Sequence, residues 1–369
     1  MCEIVESVLR KFDVDIEYGF VLRDPLTRLP LEYEQWSKII DELPELLESG
    51  KLDEVIDDLP LISTESLSTD RELRLAHLVL CTLAAAVVWN RGADRPRLSI
   101  PQQIATPLLE VCNRIGFKPI VVHASACLAN WKRKEGTTGW KAEDMDLIAF
   151  RFLRHEGNAW FFTITAQIET EFATALVAIV EVCLSFKSID YGLLHIQESL
   201  AKAQHSLNRM KEHLPPVVFY KGFRQFLSGY TSDKFELQGG IIFEGHSELG
   251  PQWLNGGSAA QSSTLHVIDT FIYIDHHGKN KEFLDNQRNY MPPKHRAFID
   301  WVSTNRPSKN EIISAPNYEK TLIALQKFRT DHIKLVTNFI VLQAAHNDEK
   351  IGTGGTSFMT LLKEIRDDC

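Results

Sequence analysis

The chain has 369 residues, of which 44% are hydrophobic and 24% are charged, and these are the proportions of an ordinary water-soluble globular protein. The length is large for a single hydrophobic core and favours two domains. The net charge of −9 argues against a nucleic-acid-binding surface, which needs a basic stripe. The first residues lack a secretion signal, and the longest apolar run, residues 78–89, is too short to span a bilayer. That run predicts a buried helix.

The cysteines are sparse and far apart in the sequence. There are six of them, and none forms a CxxC pair, so a zinc ribbon or a thioredoxin-like site is not expected. Sparse cysteines within apolar segments are typical of reduced thiols in the cytosol. We therefore expect a cytoplasmic protein without a membrane anchor.

The first third of the chain alternates turn signals with helical patterns. Residues 1–30 are expected to be loosely structured, because Pro residues and turn dipeptides punctuate them. Residues 31–43 predict a helix that Pro44 ends or kinks. Residues 63–89 also have helical spacing, with capping candidates at 66–69.

A short helix is expected at residues 108–114. Residues 120–131 are apolar with small side chains and fit either a strand or a helix. The polar stretch that follows places a domain boundary near residue 145. The predicted organisation is therefore a smaller N-terminal domain, residues 1–145, and a larger C-terminal domain, residues 146–369.

The C-terminal part is predicted to be almost entirely helical. Residues 163–186 read as one long buried helix, and residues 191–213 and 217–228 read as amphipathic helices. Residues 239–263 are rich in Gly and Ser and predict loops. Residues 317–345 form the next helical pattern. The expected fold class is mostly α, with room for one short hairpin.

One histidine lies among apolar residues on the predicted face of that helix. His332 falls in a stripe with a three- or four-residue repeat, whose members are Leu322, Leu325, Phe328, His332, Leu335, Val336, Phe339 and Ile340. An imidazole buried there without a partner costs about 1–3 kcal/mol. The sequence allows a core histidine bonded to a carbonyl, or an axial ligand to a metal or a haem iron.

The other candidates also have two interpretations each. The thirteen histidines form no HExxH or zinc-finger spacing, and the pair His276-His277 lies in polar sequence, where we expect a solvated turn. The glycine-rich residues 352–356 fit a linker or a closing lid. Arg224 follows aromatic residues and fits a surface side chain or a carboxylate clamp. Phe161, with Thr165 one helical turn later, fits core packing or a ligand wall.

From Tyr18-Gly19-Phe20 with Leu29-Pro30 to the C-terminal helix, the chain resembles the indoleamine 2,3-dioxygenase family, and five sequence blocks are the most specific. They are Leu128-Ala129-Asn130-Trp131, Gly256-Gly257-Ser258-Ala259-Ala260-Gln261-Ser262-Ser263, Tyr290-Met291-Pro292-Pro293-Lys294-His295-Arg296, His332 with Val336-Thr337, and Gly352-Thr353-Gly354-Gly355-Thr356. The resemblance implies a small N-terminal domain, α with minor β, that caps a large all-α domain holding haem b. It also implies that ferrous haem and O₂ open the pyrrole ring of L-tryptophan to give N-formylkynurenine.

The resemblance also assigns residues to the haem. His332 matches the family's proximal iron ligand, and Arg329 matches the arginine near a haem propionate. Asp269 matches the acidic partner of that arginine. Ser258 and Ala259 match the small residues that lie over the haem.

A second group matches the substrate site. Phe161 and Phe219 match aromatic residues that hold the indole, and Arg224 matches the clamp for the substrate carboxylate. Thr353 matches the lid threonine, and Thr165 stands where the family often has Ser. By this resemblance, Thr165, Arg224, Ala259 and Thr353 lie nearest the reacting atoms, and Phe161, Phe219, Arg224, Ser258 and Thr353 contact the substrate.

Some positions depart from the family pattern. His123 stands where a tyrosine is often found in the small-domain wall of the pocket, Ala260 replaces a Gly, and Tyr220 replaces a second Phe. These changes bear on affinity rather than on the reaction. The resemblance further implies an electron donor that keeps the iron ferrous, and we expect a monomer. The alternatives are a non-enzymatic haem protein that stores or senses O₂ and, more remotely, a haem-free interaction protein.

Overall fold

Helices dominate the fold of this protein. A computed structural model describes residues 2–344 and 358–368. The α-helices in these ranges are α1 Cys2–Lys11, α2 Glu34–Ser49, α3 Leu52–Asp57, α4 Asp70–Trp89, α5 Gln102–Ile115, α6 His123–Ala126, α7 Glu156–Thr170, α8 Ala173–Cys183, α9 Ile189–Asn208, α10 Asp233–Glu236, α11 Ser263–Phe271, α12 Gly278–Arg288, α13 Pro293–Asn305, α14 Lys309–Ile313, α15 Tyr318–Val336 and α16 Phe358–Asp367. The predicted mostly-α class is confirmed.

The described strands are two residues long and form two small pairs. β1, Ser99–Ile100, pairs in parallel with β4, Ile242–Phe243. β2, Lys132–Arg133, pairs in antiparallel fashion with β3, Met145–Asp146. The first pair joins segments more than a hundred residues apart and so links the N-terminal part of the chain to the later part. The division at residue 145 stays a prediction.

α9 is the central helix of the C-terminal part, because α7, α8 and α15 all pack against it. In the N-terminal part, α4 packs between α2 and α5. α4 extends well before the apolar run at residues 78–89, and it is the one helix among the described residues that is long and apolar enough to cross a membrane. However, 94% of its apolar window is buried inside the protein, which is the property of a core helix. The prediction of a buried helix is confirmed.

One prediction for the N-terminal part is wrong, and so is the first of the two outcomes predicted at Pro44, an end or a kink of the helix. Residues 1–30 are not all loosely structured, because α1 begins at Cys2 and buries Val5 and Leu9 on one face. Pro44 does not end α2, which continues to Ser49. The helix ends instead at Gly50, whose φ of +69° is left-handed and whose amide donates to the carbonyls of Leu46 and Leu47, an arrangement that glycine adopts without strain.

The predicted long helix at residues 163–186 is two helices, α7 and α8. The chain breaks after Thr170, and α8 begins after Phe172. Phe172 is buried there and meets the ring of Phe328 edge-on at 6.0 Å. The break thus lets one aromatic residue enter the core between the two helices.

The amphipathic helix predicted at residues 217–228 is not a regular α-helix. Residues Val218–Phe223 form a π-helical turn, and Arg224–Leu227 continue as a 3₁₀ turn. A second π-helical turn, Thr337–Val341, follows α15. Wide turns of this kind are often found at functional sites, and both of these border the cavity described below.

The start of α4 provides a test of the fold. The hydroxyl of Thr69 accepts a hydrogen bond from the amide of Glu72, and the Glu72 carboxylate accepts one from the amide of Thr69. We expect Thr69→Ala to lower the free energy of unfolding by about 1 kcal/mol, because the amide of Glu72 loses its partner. Urea unfolding measures this loss. Thr69→Ser keeps the hydroxyl and is the control, and an equal loss in both variants would contradict the capping role.

Candidate active site

Two adjoining cavities lie between α7, α15 and the loop that carries Ser258 and Ala259. The Arg224 cavity, with a volume of about 210 Å³, is bounded on its own side by Phe219, Arg224, Phe339, Leu361, Leu362 and Ile365. The His123 cavity, with a volume of about 180 Å³, is bounded on its own side by His123, Cys127, Thr165, Glu169, Phe328 and Arg329. The residues that line both are Phe161, Met210, Leu227, Gly257, Ser258, Ala259, His332 and Leu335. Adjoining cavities with mostly apolar walls and a few polar side chains are typical of a small-molecule or cofactor site.

His332 lies at the junction of the two cavities. It is on α15, and its side chain lines both spaces. Burial lowers the pKa of His332 to about 4, so the imidazole is neutral at pH 7 and keeps a lone pair for a ligand. The hydrogen bonds found among residues 2–344 and 358–368 include none to His332, so the interpretation as a carbonyl-bonded core histidine loses its support.

The residues around His332 fit a haem. One neutral imidazole suffices as the protein ligand, since a porphyrin supplies four nitrogens. Gly257, Ser258 and Ala259 line the same shared space, and they are small enough to leave room for a flat ring. The walls are mostly apolar, with Leu227 and Leu335 among them.

Arg329 and Asp269 form the pair that the sequence predicted. One guanidinium nitrogen of Arg329 lies 2.7 and 2.6 Å from the two carboxylate oxygens of Asp269. Burial by itself raises the pKa of Asp269, but Arg329 and His276 outweigh it and lower this pKa. Because Arg329 lines the His123 cavity, its positive charge is held in place beside His332, which is one helical turn away.

Aromatic rings form one wall of the Arg224 cavity. The rings of Phe161 and Phe219 lie 5.0 Å apart, and Phe223 packs against both of them, at 5.7 and 5.3 Å. Phe219 also meets Phe339 at 5.9 Å. These contacts are within the range of favourable aromatic pairs. They fix an apolar surface suited to a planar ligand.

The π-helical turn explains why Phe219 and Arg224 share a cavity. Residues five apart on a regular α-helix differ by about 140° around its axis. A π-helical turn pairs each residue with the one five positions later, and the amide of Arg224 bonds to the carbonyl of Phe219. Burial lowers the pKa of Arg224, while its guanidinium lies 5.5 Å from the ring of Tyr220. A buried cation of this kind suits an anionic ligand group.

The glycine-rich loop touches the backbone of the Arg224 turn. A Cβ on Gly256 would lie 2.0 Å from the carbonyl oxygen of Leu227, whereas a Cβ on Gly257 would meet nothing nearer than 3.5 Å. Ser258 uses its hydroxyl to accept a bond from the amide of Ala260, at 3.2 Å. The loop at residues 256–260 is therefore held by its backbone contact with Leu227 and by the hydrogen bond between Ser258 and Ala260.

The hydroxyl of Thr165 is already engaged. It donates to the carbonyl of Phe161 at 2.6 Å. The side chain lines the His123 cavity and adds a methyl group to its wall. Thr165 can therefore accept a hydrogen bond, but it is no proton acceptor strong enough for general-base catalysis.

The structure adds a buried ion pair that the sequence did not predict. His123 Nε2 lies 2.9 Å from a carboxylate oxygen of Glu169, and the other oxygen accepts a bond of 2.7 Å from Thr264. The amide of His123 donates to Gln261 in the glycine-rich loop, at 2.9 Å. The available signal was Glu169 itself, one turn after Thr165 on an apolar helix face, because a carboxylate buried there needs a partner.

The pair is ionised at neutral pH. Burial by itself lowers the pKa of His123, but the neighbouring Cys127 thiol and the Glu169 carboxylate outweigh it and raise this pKa to about 10. Burial raises the pKa of Glu169, while its bonds with His123, Ser262 and Thr264 lower it overall. The wall of the His123 cavity therefore carries an imidazolium.

Two further predictions need comment. His276 is not in a solvated turn, because only 11% of its side chain is exposed and it contacts Asp269 and Asp368. Of its two acidic partners, Asp269 is seven residues away but Asp368 is 92 residues away, so local polarity misled the prediction. Thr353, the predicted lid residue, lies outside the described residues.

Close backbone contact at Gly256 can be tested by substitution. We expect Gly256→Ala to destabilise the protein by about 2 kcal/mol or more, because the new methyl group overlaps a carbonyl that cannot move alone. Gly257→Ala is the matched control and should change the unfolding free energy much less. Urea unfolding of both variants measures the difference, and equal effects would count against the contact.

The His123–Glu169 pair predicts a loss of stability at alkaline pH. Because the folded pKa of His123 is raised, its contribution is complete below about pH 6.5 and falls as the pH rises through about 10. The free energy of unfolding should therefore decline between these values. In the double variant His123→Gln/Glu169→Gln, which replaces the ions with amides, the decline should be smaller. Identical declines would show that the pair is not responsible.

Comparison with known proteins is consistent with this site. The family profile described as Indoleamine 2,3-dioxygenase matches residues 8–369. The chain is 33% identical to indoleamine 2,3-dioxygenase 2 of Homo sapiens over 97% of this chain and 94% of that protein. It is 33% identical to indoleamine 2,3-dioxygenase 1 of Rattus norvegicus over 98% of this chain and 94% of that protein. It is 32% identical to a protein named myoglobin of Haliotis madaka over 98% of this chain and 97% of that protein. The chain therefore belongs to the indoleamine 2,3-dioxygenase family, whose members are haem-iron-dependent dioxygenases.

Proposed function

We propose that this protein cleaves the C2–C3 bond of the indole ring of L-tryptophan with O₂ and forms N-formylkynurenine, which contains both oxygen atoms. The observation that carries this proposal is the composition of one cavity. Arg224, the pair Phe161 and Phe219, and the neutral imidazole of His332 all line the same space. An amino acid with a planar apolar side chain offers a carboxylate to Arg224 and a ring to Phe161 and Phe219.

His332 would be the protein ligand of the haem iron, with Arg329 placed toward a haem propionate. When bound in the ferrous state, the haem supplies the binding and activation of O₂. The groups that surround a metal-ligating histidine tune how strongly its nitrogen donates to the metal. For His332 the surroundings given by the structure are apolar side chains such as Leu335. Ser258 and Ala259 leave space for the ring.

The protein's own contribution is binding, orientation and the exclusion of water. Arg224 would hold the carboxylate through paired charge-assisted hydrogen bonds. The rings of Phe161 and Phe219 would hold the indole flat, so that its C2–C3 bond is fixed in one position, and fixed geometry supplies much of the rate enhancement in such a reaction. Thr165 would accept no proton, since its hydroxyl already donates to the backbone. The proposed reaction therefore uses no side-chain base near the ring.

The direct test is turnover with labelled oxygen. The ferrous, haem-loaded protein is mixed with L-tryptophan and isotopically labelled O₂, and the product is followed by the near-ultraviolet absorbance of N-formylkynurenine and by mass spectrometry. We expect a product that carries two labelled oxygen atoms. A protein that binds O₂ stably while tryptophan is not consumed would contradict the proposal.

That contrary result would favour the second candidate, a haem protein that binds O₂ without turning over a substrate. The similarity to the proteins named myoglobin from Haliotis madaka and Haliotis diversicolor is the observation that supports it. The enzyme is favoured because an O₂ carrier has no need of a buried arginine beside an aromatic wall. The remaining parts of the proposal are an electron donor that keeps the iron ferrous, a cytoplasmic location and a monomeric state without nucleic-acid or membrane partners.

The role of Arg224 makes a separate prediction. Arg224→Leu should raise KM for L-tryptophan about ten- to a hundredfold, because a charge-assisted hydrogen bond contributes about 1.5–3 kcal/mol. Arg224→Lys keeps the charge without the planar fork and should raise KM less. Steady-state kinetics measures both, after the absorption spectrum has shown that each variant binds haem. An unchanged KM in Arg224→Leu would remove this residue from the site.

A further inference from the structure

His276 connects two carboxylates that belong to different helices. Its Nε2 lies 3.2 Å from Asp269 at the end of α11, and its Nδ1 lies 2.7 Å from Asp368, just after α16. The side chain is 11% exposed, and the two carboxylates are 14% and 21% exposed. His276 is therefore a mostly buried bridge and not a solvated surface group.

The charged cluster of Asp269, His276, Arg329 and Asp368 also contacts α16 at a second point. Asp269 also binds Arg329 on α15, and Arg329 donates from its other terminal nitrogen to the carbonyl of Ile365 at 3.0 Å. Ile365 and Asp368 are three residues apart, so both anchors fall on the same side of this helix. The last turn of α16 is thus fastened to α11 and α15 through Asp269.

α16 also forms part of the cavity. Leu361, Leu362 and Ile365 line the Arg224 cavity together with His332. Ile365 therefore carries an anchor on its backbone while its side chain contributes to the cavity wall. Anything that loosens the last turn of α16 loosens that wall.

The charge of His276 decides how many partners it can hold. A doubly protonated imidazole donates from both nitrogens, whereas a neutral imidazole donates from one and turns a lone pair toward the other carboxylate. Burial by itself lowers the pKa of His276, but Asp269 and Asp368 raise it overall, and Arg329 opposes them. With the proton bound, the charges of Asp269, Asp368, Arg329 and His276 balance.

The other charged groups nearby do not supply this bridge. From α11, His266 accepts a bond from Arg288 of α12. Asp275 is paired with Lys309 at 2.7 Å. Lys281 pairs with Asp285 on α12, and these groups share a polar pocket with His276. They add to the field around His276, while the polar contacts from this cluster to the end of α16 are those of His276 with Asp368 and of Arg329 with Ile365.

We propose that His276 is a positioning residue that fastens α16 across the Arg224 cavity, and that it does so only while it bridges Asp269 and Asp368 in its protonated form. Loss of one proton leaves a single donor for the two carboxylates, so the bridge between Asp269 and Asp368 is broken and Arg329 is the remaining link from Asp269 to α16 in this cluster. The inference concerns the wall of the cavity and does not depend on which substrate the cavity receives.

Hydrogen exchange of the haem-loaded protein tests this. The amide protection of residues 361–367, corrected for the intrinsic pH dependence of exchange, is measured at pH 6 and pH 9. Since the pKa of His276 is raised above its ordinary 6.5, the bridge is complete at the lower pH and is lost as the pH rises through the folded pKa. We expect protection to fall about tenfold or more, as the loss of one charge-assisted hydrogen bond requires.

Two variants separate this bridge from the other titrating groups. Asp368→Asn removes the charge that His276 holds and should give low protection already at pH 6, with little further change at pH 9. Asp367→Asn is the matched control, because the neighbouring Asp367 pairs with Arg366 and takes no part in the bridge, and it should keep the wild-type profile. The rate of haem transfer to an acceptor protein, measured in parallel, should rise severalfold wherever protection falls.

Equal protection at the two pH values in the wild-type protein would overturn the proposal. So would an Asp368→Asn variant that behaves like the wild type, or an Asp367→Asn variant that loses protection to the same extent. Because the wild-type profile needs no substitution, the proposal stays falsifiable even if a variant does not fold.

Discussion

A neutral imidazole that lines two adjoining cavities is the constraint on which the rest of this structure depends. Burial holds the pKa of His332 near 4, and a charged histidine could not donate to iron. The protein achieves this by placing His332 on an apolar helix stripe, in cavities that are also lined by the small residues Gly257, Ser258 and Ala259. Every other feature of the site preserves either that space or the position of the ring that borders it.

The walls of this space come from distant parts of the chain, and polar contacts between them hold the arrangement. His123 precedes Glu169 by 46 residues, and Glu169 in turn binds Thr264. Arg329 and Asp269 tie α15 to α11 on another side. Buried ionised groups are costly unless they are paired and hydrogen-bonded. Their satisfied partners here suit a cavity that has to keep its shape.

Much of the fold and the centre of the site follow from the sequence, because local periodicity encodes them. The helix stripe around His332, the cap at Thr69 and the apolar segment of α4 are all properties of neighbouring residues. The resemblance to the family then brought Phe161, Phe219, Arg224, Ser258, Ala259, Arg329 and Asp269 to one site. The structure places all of these on the two cavities or beside them.

What the sequence did not reveal depends on residues far apart in the chain. His276 lies in polar sequence and is buried only because Asp368 and Asp269 reach it from two helices. Glu169 lies in the segment that was predicted as one long buried helix, and nothing local indicates its partner, because His123 lies 46 residues earlier. The π-helical turn before Arg224 has no simple periodic signal, although it brings Phe219 and Arg224 into the same cavity. In each case the missing information is a tertiary contact.

Ligand rescue tests the central claim most directly. In His332→Gly the imidazole is removed and an opening of about its size remains on the same helix face. The account predicts that this variant binds haem poorly and loses the wild-type absorption spectrum, and that free imidazole added to the buffer restores both. A variant that binds haem with wild-type affinity and spectrum in the absence of imidazole would show that His332 is not the iron ligand.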